Sequence, residues 1–202
     1  MFALILACVA QPAARAAEGV PLRGGESNIY ALVHKDGAAS SMAHDHVIQA
    51  TGATGFLVFD PAEPESLSVS VSIPTSGLLP DEDAMRTLVG LPDVLTPTQR
   101  EEVKTHLLGD SQLAGDLHPT IEFKSTSLTV DSGTYLVTGD FSLRGVTKSI
   151  TVPLKVAPSE DGVHLKGRFA ILQSDYGYEP YSALLGALSV KDQVDIVVDL
   201  TF

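Results

Sequence analysis

Apolar and polar residues alternate along most of this chain, and that period constrains the fold more than any other feature. Ser66-Leu67-Ser68-Val69-Ser70-Val71-Ser72-Ile73 alternates without a break. Successive side chains of a strand point to opposite faces, so this pattern gathers every apolar residue on one face. The same period runs through Tyr135-Val137-Gly139-Phe141-Leu143, Ile150-Val152-Leu154-Val156 and Val163-Leu165-Gly167-Phe169-Ile171. It returns in Val194-Ile196-Val198-Leu200-Phe202, and Ile121 and Phe123 open a further strand opposite Glu122 and Lys124. Turn signals separate the runs: Asp131-Ser132-Gly133, Arg144-Gly145, and Pro158 through Gly162. Short connections imply antiparallel neighbours, so residues 120–172 read as a four-strand meander. Asn28–His34 and Ala43–Phe59 add two or three strands upstream.

Strands with one apolar face each satisfy their edges by closing on themselves. The expected fold is therefore all-β, an antiparallel eight-stranded barrel with a short helical insertion. Such a barrel is filled by side chains or holds one small ligand. Gly139 and Gly167, on the apolar face, either leave room for a ligand or ease bending of their strands. Between Pro74 and Pro119 the alternation stops. Thr96-Pro97-Thr98-Gln99 is a helix start, with Thr96 as cap, Pro97 at the first position and Gln99 reaching back. Val103, Leu107 and Leu108 follow at helical spacing and Gly109 ends the run, predicting a helix over Thr96–Leu108. A second short helix fits between Asp81 and Leu91, and Pro180 to Ser189 is a smaller insertion.

Charge narrows the partners. The 202 residues carry 13 Lys and Arg against 25 Asp and Glu, a formal net charge of −12. No basic stripe is present to displace counterions from a nucleic acid, nor to dock on anionic lipid. The one cysteine, Cys8, sits in the apolar run Phe2–Ala10, which precedes Ala14-Arg15-Ala16. An apolar run ending at an A-x-A site reads as a secretory signal peptide over residues 1–16, predicting a periplasmic or secreted protein. No Lys or Arg precedes that run, which points to a true start further upstream. Ile5-Leu6-Ala7-Cys8 offers the alternative of a lipoprotein processing site. Residues 17–27 read as a linker and 28–202 as the barrel domain.

Catalytic motifs are missing from the sequence: it has no G-x-S-x-G, G-x-G-x-x-G or Walker loop. We expect no enzyme, no resident cofactor and no metal. His44 and His46 lie two apart, so on a strand both imidazoles share a face while Asp45 points away. That spacing suits a rim hydrogen-bond cluster, a polar head-group contact, or two ligands of a metal-binding or redox accessory protein that would need a third. His118 opens a strand. Tyr176, Tyr178 and Tyr181 crowd one loop, where a ring with a hydroxyl suits the wet mouth of a pocket. Arg144 and Lys148 bracket a strand connection, within reach of a phosphate or of solvent. An outer-membrane barrel is the third alternative: the terminal Phe202 fits it, and the lack of Trp and of aromatic girdles opposes it.

Three stretches carry a resemblance. His118-Pro119-Thr120-Ile121-Glu122-Phe123-Lys124-Ser125-Thr126, Val137 through Lys148, and Asp192 through Leu200 resemble the YceI family. The likeness spans roughly residues 28–202. It implies a lipocalin-like barrel, usually exported, that binds or carries a polyisoprenoid or quinone-like lipid in an apolar interior. Met42-Ala43-His44-Asp45-His46-Val47-Ile48 looks like the Gly-His-Asp-Leu stretch of a divergent branch, with Ala43 and His46 replacing Gly and Leu. On this reading Phe123, Val137, Phe141, Val152, Leu165, Phe169 and Ile171 face the lipid tail. His44, His46, His118, Tyr176 and Tyr178 form the head-group rim. Transient membrane contact is implied of a lipid carrier, and pairing of two barrels as a homodimer stays open.

Overall fold

The computed structural model describes residues 19–202. The segment read as a signal peptide lies outside them. Twelve strands and two helices follow in the order β1 (Val20–Pro21), β2 (Asn28–Asp36), β3 (His46–Ala50), β4 (Thr54–Asp60), β5 (Glu63–Pro74), β6 (Leu78–Pro80), α1 (Asp83–Val89), α2 (Pro97–Leu108), β7 (Thr120–Asp131), β8 (Thr134–Leu143), β9 (Val146–Ser159), β10 (Gly162–Leu172), β11 (Ser182–Ala183) and β12 (Leu188–Thr201). They form one sheet in the order β1-β4-β5-β7-β8-β9-β10-β12-β2-β3-β6, with β11 on β12. Every pairing is antiparallel. The sheet curls into a half-barrel, and the strand count corrects the expected eight to twelve. Three of the additional strands, β1, β6 and β11, are two or three residues long, too short to show a period. Val20–Pro21, within the stretch read as a linker, pairs with Leu57 and Phe56 of β4.

The meander forms where the alternation placed it. Its first turn, Ser132-Gly133, and its second, Arg144-Gly145, put both central residues at positive φ. That is the two-residue hairpin geometry whose twist matches the flanking strands. The cap also forms: Thr96 Oγ1 accepts from Gln99 N–H at 3.3 Å, and Gln99 Oε1 accepts from Thr96 N–H at 2.9 Å. The ladder between β9 and β10 is incomplete. It runs from Gly162↔Ser159 to Gly167↔Leu154 and then stops, so Arg168–Leu172 and Val146–Pro153 have no pairing with each other.

Inside the curl the apolar side chains form two clusters. One holds Val137, Val152, Leu154, Leu165, Leu200 and Phe202, packed without exposed surface at several positions. The other holds Ile48, Leu78, Phe141, Leu143, Ile171 and Tyr176. Phe123 and Phe169 pack against both. Gly139 settles one question from the sequence: a Cβ there would sit 2.5 Å from the Phe123 ring, so the space serves a neighbouring side chain. At Gly167 the added Cβ would meet Leu154 at 2.7 Å. The first cluster is a filled core. Leu165→Ala is therefore expected to lower unfolding free energy by about 2–5 kcal/mol, read by urea denaturation.

Candidate functional site

Two neighbouring chambers lie beside the second cluster. An inner cavity of about 120 Å³ is lined by Ile29, Ile73, Leu78, Phe141, Ile171 and Tyr178, among others. An outer chamber of about 320 Å³ lies between the start of β3, helix α2 and the segment leading into β11. His44, His46, Glu102, His106 and Tyr181 line it. The two chambers share Val33, Ile48, Leu107, Gln112 and Gln173, which form the neck between them. Helix α2 belongs to this wall: Leu107 faces both chambers, and the His106 ring lies 5.2 Å from that of Tyr181.

A buried carboxylate organises the outer wall. Asp81, fully buried and at φ 55°, follows β6. Its Oδ1 accepts from Val47 N–H at 3.1 Å and from Arg86 Nη1 at 2.6 Å, and its Oδ2 lies 2.6 Å from His46 Nδ1. Burial alone raises this carboxyl. The hydrogen bond and charge of His46, the Val47 N–H and Arg86 outweigh it and hold Asp81 below the ordinary carboxylate range. Arg86, also buried, donates to the carbonyls of Asp45 at 2.9 Å and Asp93 at 2.5 Å. His44 Nδ1 lies 3.1 Å from Asp93 Oδ2, and that hydrogen bond lowers the Asp93 carboxyl. Asp45 points away from both histidines, as their spacing implied, and accepts from Lys35 N–H at 2.8 Å.

The structure separates the residues read from the sequence. Phe141 and Ile171 line the inner cavity, and Tyr178 joins them there. Val137, Val152 and Leu165 lie in the filled core, with Phe123 and Phe169 between the clusters. His44 and His46 line the outer chamber. His118 lines neither chamber and lies against the turn at Gly145. Tyr176 is buried with its ring edge-on to Phe141 at 5.6 Å. Burial first, and the Asp175 charge second, push its hydroxyl up to about 12. Burial, then Asp192, raises Tyr178 too. Arg144 donates through its two Nη atoms to the Gly177 and Asp110 carbonyls at 2.8 and 3.0 Å and lies over the Tyr178 ring, while its buried Nε has no partner. Lys148 reaches Asp175 at 3.6 Å.

The sequence profile of the YceI-like domain matches residues 30–202. The chain belongs to the YceI-like family. Its fold is similar to that of BcnA from Burkholderia cenocepacia, with a TM-score of 0.70 at 18% identity over 90% of this chain and 99% of that one. It is also similar to the YCEI protein of Campylobacter jejuni, with a TM-score of 0.56 at 17% identity over 75% and 81% of the two chains. Comparison with curated proteins finds none that matches.

Within this YceI-like barrel, sequence reasoning missed Asp81, Arg86, Gln112, Gln173 and His106. Most lie in or beside the helical insertion, away from any strand period. A buried Arg needs a buried acid partner, and nothing in the spacing of Asp81 and Arg86 distinguishes that pair from an exposed helix start. Among the described residues, no three His, Cys, Asp or Glu side chains gather as a metal-ligand set.

Asp81 also sets a pH dependence. Its lowered folded value means that the stability it contributes is complete above the unfolded carboxylate range, near about 3.9, and is lost as pH falls through the folded value. Asp81→Asn leaves the Arg86 charge buried without its partner. We expect it to destabilise the protein by about 3–5 kcal/mol at neutral pH. Urea midpoints measured across a pH series should also fall less steeply with acid than in the unaltered protein.

Proposed function

We propose that this YceI-like chain is a binding protein that carries an amphiphile, an isoprenoid or quinone-like lipid, with its tail in the inner cavity and its head in the outer chamber. The observation that carries this reading is the adjacency of an apolar cavity and a more polar chamber across a neck of shared residues. Apolar surface returned to water costs about 0.8 kcal/mol per methylene, which is the driving force for seating a tail. An inner cavity of about 120 Å³ admits only the first few carbons at about 30 Å³ per small group. The rest of a longer tail is accommodated in the outer chamber or by side-chain movement along the second cluster.

Binding without catalysis fits the lining. His46 and Asp81 form a pair able to accept a proton, yet neither chamber has a Ser, Thr or Cys among its lining residues to act as nucleophile. The outer surface of the strands carries exposed Glu122, Lys124, Asp140, Lys155, Lys166 and Arg168. A lipid-facing barrel exterior disfavours such charges, so a water-facing exterior supports a carrier over an outer-membrane pore. The apolar N-terminal run supports export.

Native mass spectrometry of freshly purified protein is expected to show a co-purified lipid. Val33→Trp places an indole at the neck. It is expected to reduce the lipid-bound fraction at least tenfold while the strand signal in circular dichroism stays unchanged. A lipid-free preparation that also fails to bind added isoprenoid would overturn the reading.

A further inference from the structure

We infer that the neck and outer wall select an amphiphile whose head group donates hydrogen bonds through a hydroxyl, and discriminate against a phosphate head. This rests on the carrier reading above and adds the chemistry of the head.

Gln112 and Gln173 both line both chambers. Gln173 Nε2 donates to the Lys191 carbonyl at 2.7 Å. Gln112 Nε2 donates to the carbonyls of Ser111 and Glu179 at 3.2 and 3.1 Å. A carbonyl can only accept, so these contacts fix the orientation of both amides. Gln112 therefore spends both N–H donors on the backbone, Gln173 spends one of its two, and each keeps Oε1 as an acceptor with no partner in the fold. His46 reaches the same state by another route. Asp81 accepts from Val47 and Arg86 as a carboxylate, so the proton in its contact with His46 resides on Nδ1. The other ring nitrogen, Nε2, then carries a lone pair when the ring is neutral. His44 repeats the arrangement with Asp93. Glu102 adds a carboxylate.

Cations are missing from the same surface. No Lys or Arg lines either chamber; the nearby Arg86 and Arg144 donate to backbone carbonyls and, for Arg86, to Asp81, and their unpaired Nη2 and Nε belong to side chains outside both linings. The donors left in the lining are the second N–H of Gln173, then Tyr30, Tyr178 and Tyr181, whose hydroxyls can also accept, His106, and Gln99 at the outer rim, whose Oε1 is taken by Thr96. A phosphate entering here would meet acceptors and a chain of formal charge −12. A hydroxyl would satisfy acceptors that otherwise stay unpaired once a tail displaces water from the neck.

The test compares farnesol, farnesyl methyl ether and farnesyl phosphate by isothermal titration at about pH 8, above the ordinary imidazole range. Farnesol is expected to bind about tenfold tighter than the ether, and the phosphate weakest of the three. Gln112→Met removes one acceptor from a half-buried position. It is expected to shrink the farnesol-to-ether affinity ratio several-fold. An ether that binds as well as farnesol overturns the inference and leaves the carrier reading standing, as does a phosphate that binds tighter than farnesol. Folded protein that binds none of the three overturns both.

Discussion

The contact between Asp81 and Arg86 is the point on which the ligand side of the molecule depends. It is a buried ion pair whose carboxylate also holds the β3 backbone at Val47 and the ring of His46. Arg86 extends the tie to the Asp45 and Asp93 carbonyls. Four separate segments therefore meet at two side chains: the start of β3, the end of β6, helix α1 and the loop before α2. Buried pairs of this kind contribute little net stability relative to apolar packing, but losing one partner is costly. Their effect here is positional. His46 is fixed through its Nδ1 where it lines the outer chamber.

The two halves of the interior have different consequences for what a substitution does. Around Val137, Val152 and Leu165 the packing is complete, and a change is felt as lost stability. Around Phe141 and Ile171 the same kind of side chain borders empty space, and a change alters the shape of a site. A single apolar strand face serves both. On β8, Val137 and Phe141 lie four residues apart on the same face, one in solid core and one on the cavity wall.

This division explains what could be read from the sequence. Alternation is a property of a strand and its two faces, so β5, β7, β8, β9, β10 and β12 were legible, as was the capping box of α2. Alternation does not say where along an inward face the interior is filled, so seven tail-facing residues were expected and two of them line the cavity. The short strands β1, β6 and β11 lack a full period. Asp81, Gln112 and Gln173 owe their environment to the meeting of distant segments. Gln173, for example, is fixed by the Lys191 carbonyl where β12 bulges between Val190 and Val194.

The unfinished ladder between β9 and β10 bears on how a small cavity can take a larger guest. Beyond Gly167 and Leu154 no hydrogen bonds join the two strands, while β10 stays fully paired to β12 and β9 to β8. Pro153, which has no N–H to donate, sits beside the point of divergence. Moving Arg168–Leu172 away from Val146–Pro153 therefore stretches side-chain contacts but breaks no rungs. The stiffness of the wall is uneven around its circumference, and the compliant arc lies along Phe169 and Ile171, beside the cavity, so the interior can dilate there with the secondary structure intact.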